Sequence, residues 1–211
     1  MSEPLLLVAA SGLAREVLSV CEAAGREVVG VLDDDPAKAG RAFGATTVLG
    51  PLENVREHAD AELLLCAGKG SVRRELAVRL SALGIGDDRY ATVVDPSVHV
   101  PSSCTVGVGT VLLGGVVLTA DVRVGRHVVC MPHVTLTHDD ELADYVTLTA
   151  GVSLGGAVTV GEAAYIGMNA SVREQRTVGA GSVLGMGAVL VTDQPAGTVY
   201  AGVPARSIGK E

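Results

Sequence analysis

A strict six-residue repeat of aliphatic side chains runs from Val94 to Leu190 and limits what this chain can fold into. Every sixth residue of this stretch is Val, Leu or Ile, except for Cys130. A helix repeats about every 3.6 residues and a strand every two, so neither element needs a period of six. A solenoid of short parallel strands needs it, because one aliphatic side chain from each flat face fills the interior.

The slot four residues after each of these positions is also mostly small, with Val, Ala or Ser in most repeats. Two small inward positions per repeat describe a thin prism without room for rings, which agrees with an aromatic content of 2%. At three faces per coil, the repeats form between five and six coils. Glycines at the corners, such as Gly107, Gly125, Gly161 and Gly179, are expected to supply the positive φ of tight turns.

The part of the chain before about Asp95 has a different pattern, in which apolar runs alternate with helical spacing. The predicted elements are, in order, a strand Leu5–Ala10, a helix Leu13–Ala24, a strand Glu27–Leu32, a strand Leu63–Cys66 and a helix Ser71–Leu83 capped by Ser71. This order is typical of a small Rossmann-like α/β domain. We therefore expect such a domain at 1–93, the solenoid at 94–194 and a C-terminal cap at 195–211.

Composition and charge exclude several classes of protein. The chain is 48% hydrophobic and 19% charged, as globular proteins are. A formal net charge of −8 argues against a general nucleic-acid binder or a protein of anionic membrane surfaces. The apolar run at Leu5–Ala10 is too short for a membrane span and has no basic flank of a signal peptide. Four cysteines without a CxxC pair indicate buried thiols in a reducing compartment, and the cytoplasm is the expected location.

Five segments match the motifs of one group of enzymes: Ala9–Val17, Gly30–Pro36, Thr137–Asp140, Val160–Gly167 and Ala201–Arg206. The repeats resemble those of the left-handed β-helix acyltransferases. The whole chain is similar to the bacterial sugar acetyltransferases that carry a Rossmann-like domain before the helix. That branch includes N-acetyltransferases of nucleotide-linked 4-amino sugars and sialic acid O-acetyltransferases. The resemblance implies a left-handed parallel β-helix, acetyl-CoA as co-substrate and a homotrimer with active sites between subunits.

Acyl transfer from a thioester to an amine needs a base for the amine proton. By its resemblance to the family motif, His138 is the candidate base, and Asp139 is the acidic neighbour that orients its ring. The alternative is a surface histidine without a role, and the local motif favours catalysis. No cysteine is next to His138, so direct transfer is expected rather than an acyl-enzyme.

The other four histidines, His58, His99, His127 and His133, are expected on the surface. No set of His, Asp or Glu residues has convincing metal-ligand spacing, so no metal is predicted.

Asp140 occupies the second inward slot, where a carboxylate is unfavourable unless it is paired or protonated. Two arrangements fit it. Its side chain either reaches Arg176 on the same face, or turns outward towards His138 through a local distortion.

The Rossmann-like part is expected to bind a nucleotide-sugar acceptor. Ser11 and Gly12, at the start of a helix, offer backbone N–H groups to a phosphate. Asp33 and Asp34 follow the second strand, where family members recognise the nucleotide base, and Gly68 follows the third. The competing interpretation is that both glycines only turn the chain.

The resemblance also places the donor. Its expected contacts are Gly156, Gly167 and Gly185 along the pantetheine arm, and Gly202, Pro204 and Arg206 near the adenine end. Two positions depart from the family: Leu13 replaces a polar residue of the nucleotide loop, and Thr147 replaces a second histidine associated with the donor.

Three functions follow from these patterns. The first is acetyl-CoA-dependent N-acetylation of a UDP- or GDP-linked 4-amino sugar with His138 as general base. The second is O-acetylation of a sugar hydroxyl, as in the sialic acid enzymes. The third is a non-catalytic nucleotide-sugar-binding scaffold, which Leu13 and Thr147 favour.

Overall fold

The computed structural model describes residues 3–210, which form an α/β unit followed by a three-sided solenoid. The α/β unit contains the strands β1 Leu5–Val8, β2 Val28–Leu32, β3 Ala42–Phe43, β4 Thr46–Gly50 and β5 Glu62–Leu65, and the helices α1 Gly12–Ala23 and α2 Gly70–Ala82. The sheet order is β3-β4-β2-β1-β5, and only β3 is antiparallel. β1 is apolar and buried throughout because it pairs in parallel with β2 and β5.

Both helices lie where the sequence predicts them. α1 begins after Ser11, whose hydroxyl accepts a hydrogen bond from the N–H of Ala14 at 3.2 Å. The prediction of Ser71 as the cap of α2 is wrong, because the helix begins at Gly70 and Lys69 takes the cap position without a side-chain cap bond. The sequence predicts no helix or strand between β2 and β5, where the structure has β3, β4 and a 3-10 helix at Leu52–Glu57.

The solenoid is built from two-residue parallel strands on three faces. Face I contains β6 Val93–Val94, β8 Val111–Leu112, β11 Val129–Cys130, β14 Thr147–Leu148, β17 Tyr165–Ile166 and β20 Val183–Leu184. Face II contains β9 Val117–Leu118, β12 Thr135–Leu136, β15 Ser153–Leu154, β18 Ser171–Val172 and β21 Val189–Leu190. Face III contains β7 Thr105–Val106, β10 Arg123–Val124, β13 Glu141–Leu142, β16 Thr159–Val160 and β19 Thr177–Val178. The aliphatic repeat fills the interior between the faces, as predicted.

The corners do not use the glycines that the sequence suggested. Left-handed φ values fall mostly on residues that are not glycine, three positions after the inward residue, for example Asp121, Asp139 and Gln175. Gly107 has no such φ. A Cβ there would lie 2.6 Å from the backbone of Gly125 in the next coil, so stacking of the coils requires this glycine.

The α/β unit packs on face I. Residues of β1 and α1 share one apolar cluster with Val111, Leu113 and Val129 of the solenoid. At the corner between faces III and I, a Cβ on Gly70 would lie 1.9 Å from the carbonyl oxygen of Tyr145, so α2 begins in close contact with the coils. The corner between faces II and III lies opposite face I and is therefore remote from this contact.

The last described segment continues face I at the C-terminal end of the prism. β22, at Thr198–Ala201, adds to face I beside β20, and β23, at Arg206–Lys210, folds back antiparallel on it. Among residues 3–210, no helix has the length and apolar character needed to cross a membrane.

Candidate active site

His138 lies at the corner between faces II and III, in the turn from β12 to β13. Its side chain is 67% exposed, and its Nδ1 lies 2.8 Å from Oδ2 of Asp139. Asp139 holds the left-handed corner position with φ of 61°. Because the carboxylate holds Nδ1, Nε2 is the ring nitrogen left to accept a proton.

Gly156 brings the next coil directly under this ring. A Cβ at Gly156 would lie 2.4 Å from both Cε1 and Nε2 of His138. Only a residue without a side chain lets the imidazole occupy this position. The structure therefore brings together three of the residues predicted from the sequence, His138, Asp139 and Gly156.

Asp140 is fully buried, and neither arrangement predicted for it is correct. Its two carboxylate oxygens accept hydrogen bonds from the N–H groups of Thr137, at 2.8 Å, and Val158, at 2.9 Å. Arg176 instead forms an ion pair with Asp193 at 3.6 Å. Burial raises the pKa of Asp140 to about 6, although both hydrogen bonds oppose the rise.

His127 is not on the surface, and that prediction is wrong. Its ring is 0% exposed, stacks on Tyr145 at 5.1 Å and meets the ring of Tyr90 edge-on at 4.5 Å. Neither ring nitrogen has a hydrogen-bond partner among the described residues. Burial, with the nearby cations Arg126 and Arg73, lowers the pKa of His127 to about 4. His133 and His99 are exposed as expected, and His58 is half-buried.

Arg73 joins α2 to the solenoid, and sequence reasoning missed it. The guanidinium is 0% exposed and donates to the carbonyl oxygens of Ala67, Gly68, His127, Tyr145 and Val146 and to Oγ1 of Thr147. Burial lowers the pKa of Arg73 to about 10. In the sequence it is simply one more basic residue of a helix, so no local signal marks it.

Thr147 belongs to the same junction. Its hydroxyl accepts a hydrogen bond from Arg73 at 3.0 Å and donates to the carbonyl oxygen of Gly68 at 2.8 Å. The side chain is fully buried. The position at which the family often has a second histidine is therefore occupied by the contact between the two halves of the chain.

Asp33 and Asp34 lie together at the carboxyl end of the parallel sheet, beside a cavity of about 170 Å³. Asp33 accepts a hydrogen bond from the N–H of Ala10 and pairs with Lys38, both at 2.8 Å. Asp34 pairs with Arg79 at 2.6 Å. Burial opposes the shift, but the bonds from Lys38 and the backbone lower the pKa of Asp33, and the bond from Arg79 lowers that of Asp34. Both side chains are ionised hydrogen-bond acceptors.

The first turn of α1 is only partly available to a ligand. The hydroxyl of Ser11 donates to the carbonyl oxygen of Cys66 and already caps the helix. Gly12 is exposed, and a Cβ there would meet nothing within 4 Å. Leu13, the departure from the family, is buried in the core of the α/β unit. The loop therefore offers backbone groups rather than free polar side chains.

A larger cavity, of about 680 Å³, begins at Gly68 and lies between the start of α2 and the coils. Lys69, Ser71 and Arg74 line it from the α/β unit, and Glu162 and Tyr165 line it from the solenoid. Arg74 and Glu162 form an ion pair across it at 3.1 Å. Sequence reasoning identified only Gly68, because the walls come from segments about ninety residues apart in the chain.

The predicted donor contacts fall into two groups. Gly156 lies with His138 at the corner between faces II and III. Gly167 and Gly185 lie near the corner between faces I and II, and a Cβ on Gly185 would lie 3.0 Å from Cβ of Ala201 in the C-terminal hairpin of β22 and β23.

The rest of the second group is in that hairpin, where Gly202 has φ of 94° and the Val203–Pro204 peptide bond is cis. Arg206 is exposed and donates to its neighbour Ala205. A Cβ on Gly167 would meet the N–H of Met186 at 2.5 Å, so coil stacking by itself requires that glycine. Within residues 3–210, no three His, Cys, Asp or Glu side chains converge as metal ligands.

The same overall structure occurs in solved sugar N-acetyltransferases. A point mutant of perosamine N-acetyltransferase from Caulobacter crescentus, solved with CoA and GDP-perosamine, superimposes with a TM-score of 0.91 at 28% identity, over 100% of this chain and 99% of that one. The acetyltransferase domain of PglB from Neisseria gonorrhoeae gives 0.89 at 29% identity, over 98% of this chain and 100% of that one. The predicted resemblance to hexapeptide-repeat sugar N-acetyltransferases is confirmed.

A curated relative agrees over a shorter segment. The UDP-N-acetylbacillosamine N-acetyltransferase of Bacillus subtilis is 41% identical over 54 residues, which is 26% of this chain and 24% of that protein. No family model matches the chain. The acetyltransferase domain of PglB has also been solved with acetyl coenzyme A, at 27% identity and a TM-score of 0.89 over 99% of this chain and 100% of that one. The predicted fold class is confirmed, and the comparisons support an acyltransferase with acetyl-CoA as co-substrate.

Proposed function

We propose that this chain is an acetyl-CoA-dependent N-acetyltransferase whose acceptor is a UDP- or GDP-linked 4-amino sugar. The observation that carries the proposal is the exposed His138, held through Nδ1 by Asp139 and seated over Gly156. Two of the relatives named above, the perosamine enzyme and the bacillosamine enzyme, are solved with or named for a nucleotide-linked amino sugar. In this chain the same fold carries a histidine whose Nε2 is left to accept a proton. This histidine lies at the corner between faces II and III, which the α/β unit does not cover and which we call the bare corner.

The chemistry assigned to His138 is that of a general base. Its Nε2 takes a proton from the neutral sugar amine as the nitrogen attacks the thioester carbonyl. A C–N bond forms, the C–S bond breaks, and the proton held on Nε2 passes to the leaving thiolate, which departs as the thiol. Asp139 keeps the ring in the tautomer that has Nε2 free. All four cysteines are buried, so none is placed to form an acyl-enzyme, which favours direct transfer.

The acceptor is assigned to the α/β unit, residues 1–93. Asp33 and Asp34 border the smaller cavity at the sheet edge, where strand ends of α/β folds bind nucleotides. Gly68 begins the larger cavity on the other side of the start of α2. We assign the nucleotide to the first cavity and the sugar to the second.

A second copy of the chain completes this site. His138 lies on the corner opposite face I, so the α/β unit of its own chain covers the wrong side of the prism. The two groups of donor contacts lie on the two edges of face II. A cleft between two copies places one edge of each against the other, which is the arrangement of a homotrimer with shared active sites. Light scattering at assay concentration tests this, and a stable monomer would contradict it.

The deciding experiment follows thiol release from acetyl-CoA with a panel of UDP-, GDP- and dTDP-linked amino sugars. Turnover with one of them should fall by about 10²–10⁴-fold in His138→Ala. His133→Ala is the matched control, because His133 is also exposed, also at a corner, and also lies over a glycine, Gly115. Equal losses in both variants would remove the assigned role of His138.

The same panel separates the other functions. Turnover with sialic acid or another hydroxyl acceptor, and with no amine, would identify an O-acetyltransferase. Nucleotide-sugar binding without any turnover would identify a scaffold. Either result would replace the proposed reaction.

A further inference from the structure

The turn that carries His138 breaks the hydrogen-bond pattern of its own corner. In the equivalent turns, the N–H groups of Thr119, Gly155 and Arg173 each donate to a carbonyl oxygen of the next coil, at 3.1, 2.9 and 2.9 Å. By this pattern the N–H of Thr137 would donate to the carbonyl oxygen of Leu154. It donates instead to the carboxylate of Asp140. The hydroxyl of Thr137 donates to the carbonyl oxygen of Leu154 in its place, at 3.1 Å.

The strand pairing changes at the same place. β12 and β15 keep only the pair Thr135–Ser153, whereas β9 with β12 and β15 with β18 each keep two. In this coil a threonine hydroxyl thus makes the hydrogen bond to the next coil that a backbone N–H makes at the equivalent turns. The group that receives the Thr137 N–H in this coil is the buried carboxylate of Asp140.

The second oxygen of Asp140 binds the next coil. It accepts the N–H of Val158 at 2.9 Å, two residues after Gly156. One carboxylate therefore binds the residue just before His138 and, through Val158, the turn of the next coil that carries Gly156 beneath the His138 ring. A Val or Ala, the usual residue of this slot, has no atom that can make either bond.

We propose that Asp140 is a positioning residue for His138: by redirecting the Thr137 N–H and binding Val158, it sets the turn in which the imidazole lies over Gly156 with Nδ1 on Asp139. The inference rests on the proposed function, since it assigns the base of that reaction. It also explains why an aliphatic slot holds a carboxylate, which replaces favourable core packing with a group that is unfavourable to bury.

The test is Asp140→Val, which restores the ordinary residue of the slot and so favours folding. We expect kcat for acetyl transfer to fall at least tenfold, KM for both substrates to stay within twofold, and the melting temperature to stay equal or rise. Asp140→Asn keeps one acceptor oxygen and should recover part of the lost kcat. If Asp140→Val fails to fold, Asp140→Asn carries the test, with a loss in kcat at unchanged KM as the expected result.

Thr110→Val is the matched control. Thr110 occupies the same slot at another corner, is fully buried, and its hydroxyl accepts the N–H of Val128 at 3.1 Å. Thr110→Val also loses a hydrogen bond between coils, but at a corner remote from His138. It should therefore keep the full kcat of the wild type. Wild-type kcat in Asp140→Val, or an equal loss in Thr110→Val, would overturn the proposal.

A structural readout keeps this proposal separate from the reaction. In a crystal structure of Asp140→Val, the Thr137 N–H should return to the Leu154 oxygen and the His138 ring should leave Gly156. An unchanged turn would overturn the positioning role even in an active enzyme. If no acceptor supports turnover, the proposed function fails, and this crystal structure still decides whether Asp140 sets the turn.

Discussion

Two corners of one solenoid hold histidines in very different states. His127, at the corner between faces III and I, is 0% exposed, finds no hydrogen-bond partner for either ring nitrogen within residues 3–210, and has its pKa lowered by burial to about 4. His138, at the corner between faces II and III, is 67% exposed and bonded to Asp139. The difference arises because the α/β unit covers the first corner with Tyr90 and α2, while nothing in the described chain covers the second.

The comparison teaches that the repeat supplies equivalent turns and that the covering elements decide what each turn does. At the covered corner, polar groups serve the junction: Arg73 bonds five carbonyl oxygens and Thr147 bonds Gly68. At the bare corner, Asp139 bonds the histidine, and Asp140 accepts hydrogen bonds from Thr137 and Val158 in the turn for which we propose a positioning role. Four experiments test this division, beginning with the largest expected effect.

Replacing Arg73 tests the covered corner most severely. Arg73→Met should lower the free energy of unfolding by about 3–5 kcal/mol, because buried carbonyl oxygens of both halves lose their donors together. Urea unfolding measures the loss. The control is Arg74→Met, which removes one exposed ion pair and should change stability by less than about 1 kcal/mol. Similar values for both would show that the junction does not depend on the buried cation.

The buried histidine should make stability depend on pH. Its pKa in the folded chain is lowered from about 6.5, so between pH 6.5 and 4 the unfolded chain binds a proton that the folded chain does not. The free energy of unfolding therefore decreases as the pH falls, and His127 alone should lower it by about 2 kcal/mol between pH 7 and 5. His127→Phe should remove that loss in urea unfolding at the two pH values, and His133→Phe should retain it. If His127→Phe loses as much stability between pH 7 and 5 as the wild type, the buried histidine is not the source of the pH dependence.

Gly156 tests the bare corner. Gly156→Ala places a methyl group where the tip of the His138 ring lies, and the exposed ring can swing away, so stability should hardly change. The base is then misplaced, and kcat should fall about 10- to 100-fold. Steady-state kinetics measure the effect, with Gly209→Ala as control, since a Cβ at Gly209 meets nothing within 4 Å. Full activity in Gly156→Ala would mean that the ring position over this coil is not needed.

The smallest effect concerns Asp140, whose contribution to stability has the opposite sign to that of His127. Its folded pKa is raised to about 6, so below pH 6 the folded chain binds a proton that the unfolded chain still lacks. Stability from this group rises as the pH falls and is lowest at neutral pH. The free energy of unfolding of Asp140→Val should therefore exceed that of the wild type by about 1–2 kcal/mol at pH 7, and the difference should disappear by pH 4. An advantage independent of pH would show that packing, not the carboxylate charge, sets the difference.

Much of the fold could be predicted from the sequence because a hexapeptide repeat is local. Each aliphatic residue of the series from Val94 to Leu190 meets its equivalents one coil away, so the pattern predicts the interior without long-range information. The same holds for the strand and helix order of the α/β unit, where apolar runs and helical spacing carry the signal. β3 and β4 lie in a stretch without such a signal.

For the candidate site, the sequence by itself predicted the base His138 and its neighbour Asp139, because a motif of consecutive residues carries them. Only the tertiary structure decided which corners are covered, and with that the burial of His127, the roles of Arg73 and Thr147, and the bonds of Asp140. These outcomes depend on backbone groups brought together from distant segments, such as the carbonyl oxygens around Arg73. The charge and reactivity of a side chain depend on its surroundings, because water, carbonyl oxygens and neighbouring rings set the free energy of its ionised form. The order of residues in the chain does not show which of these groups will surround it.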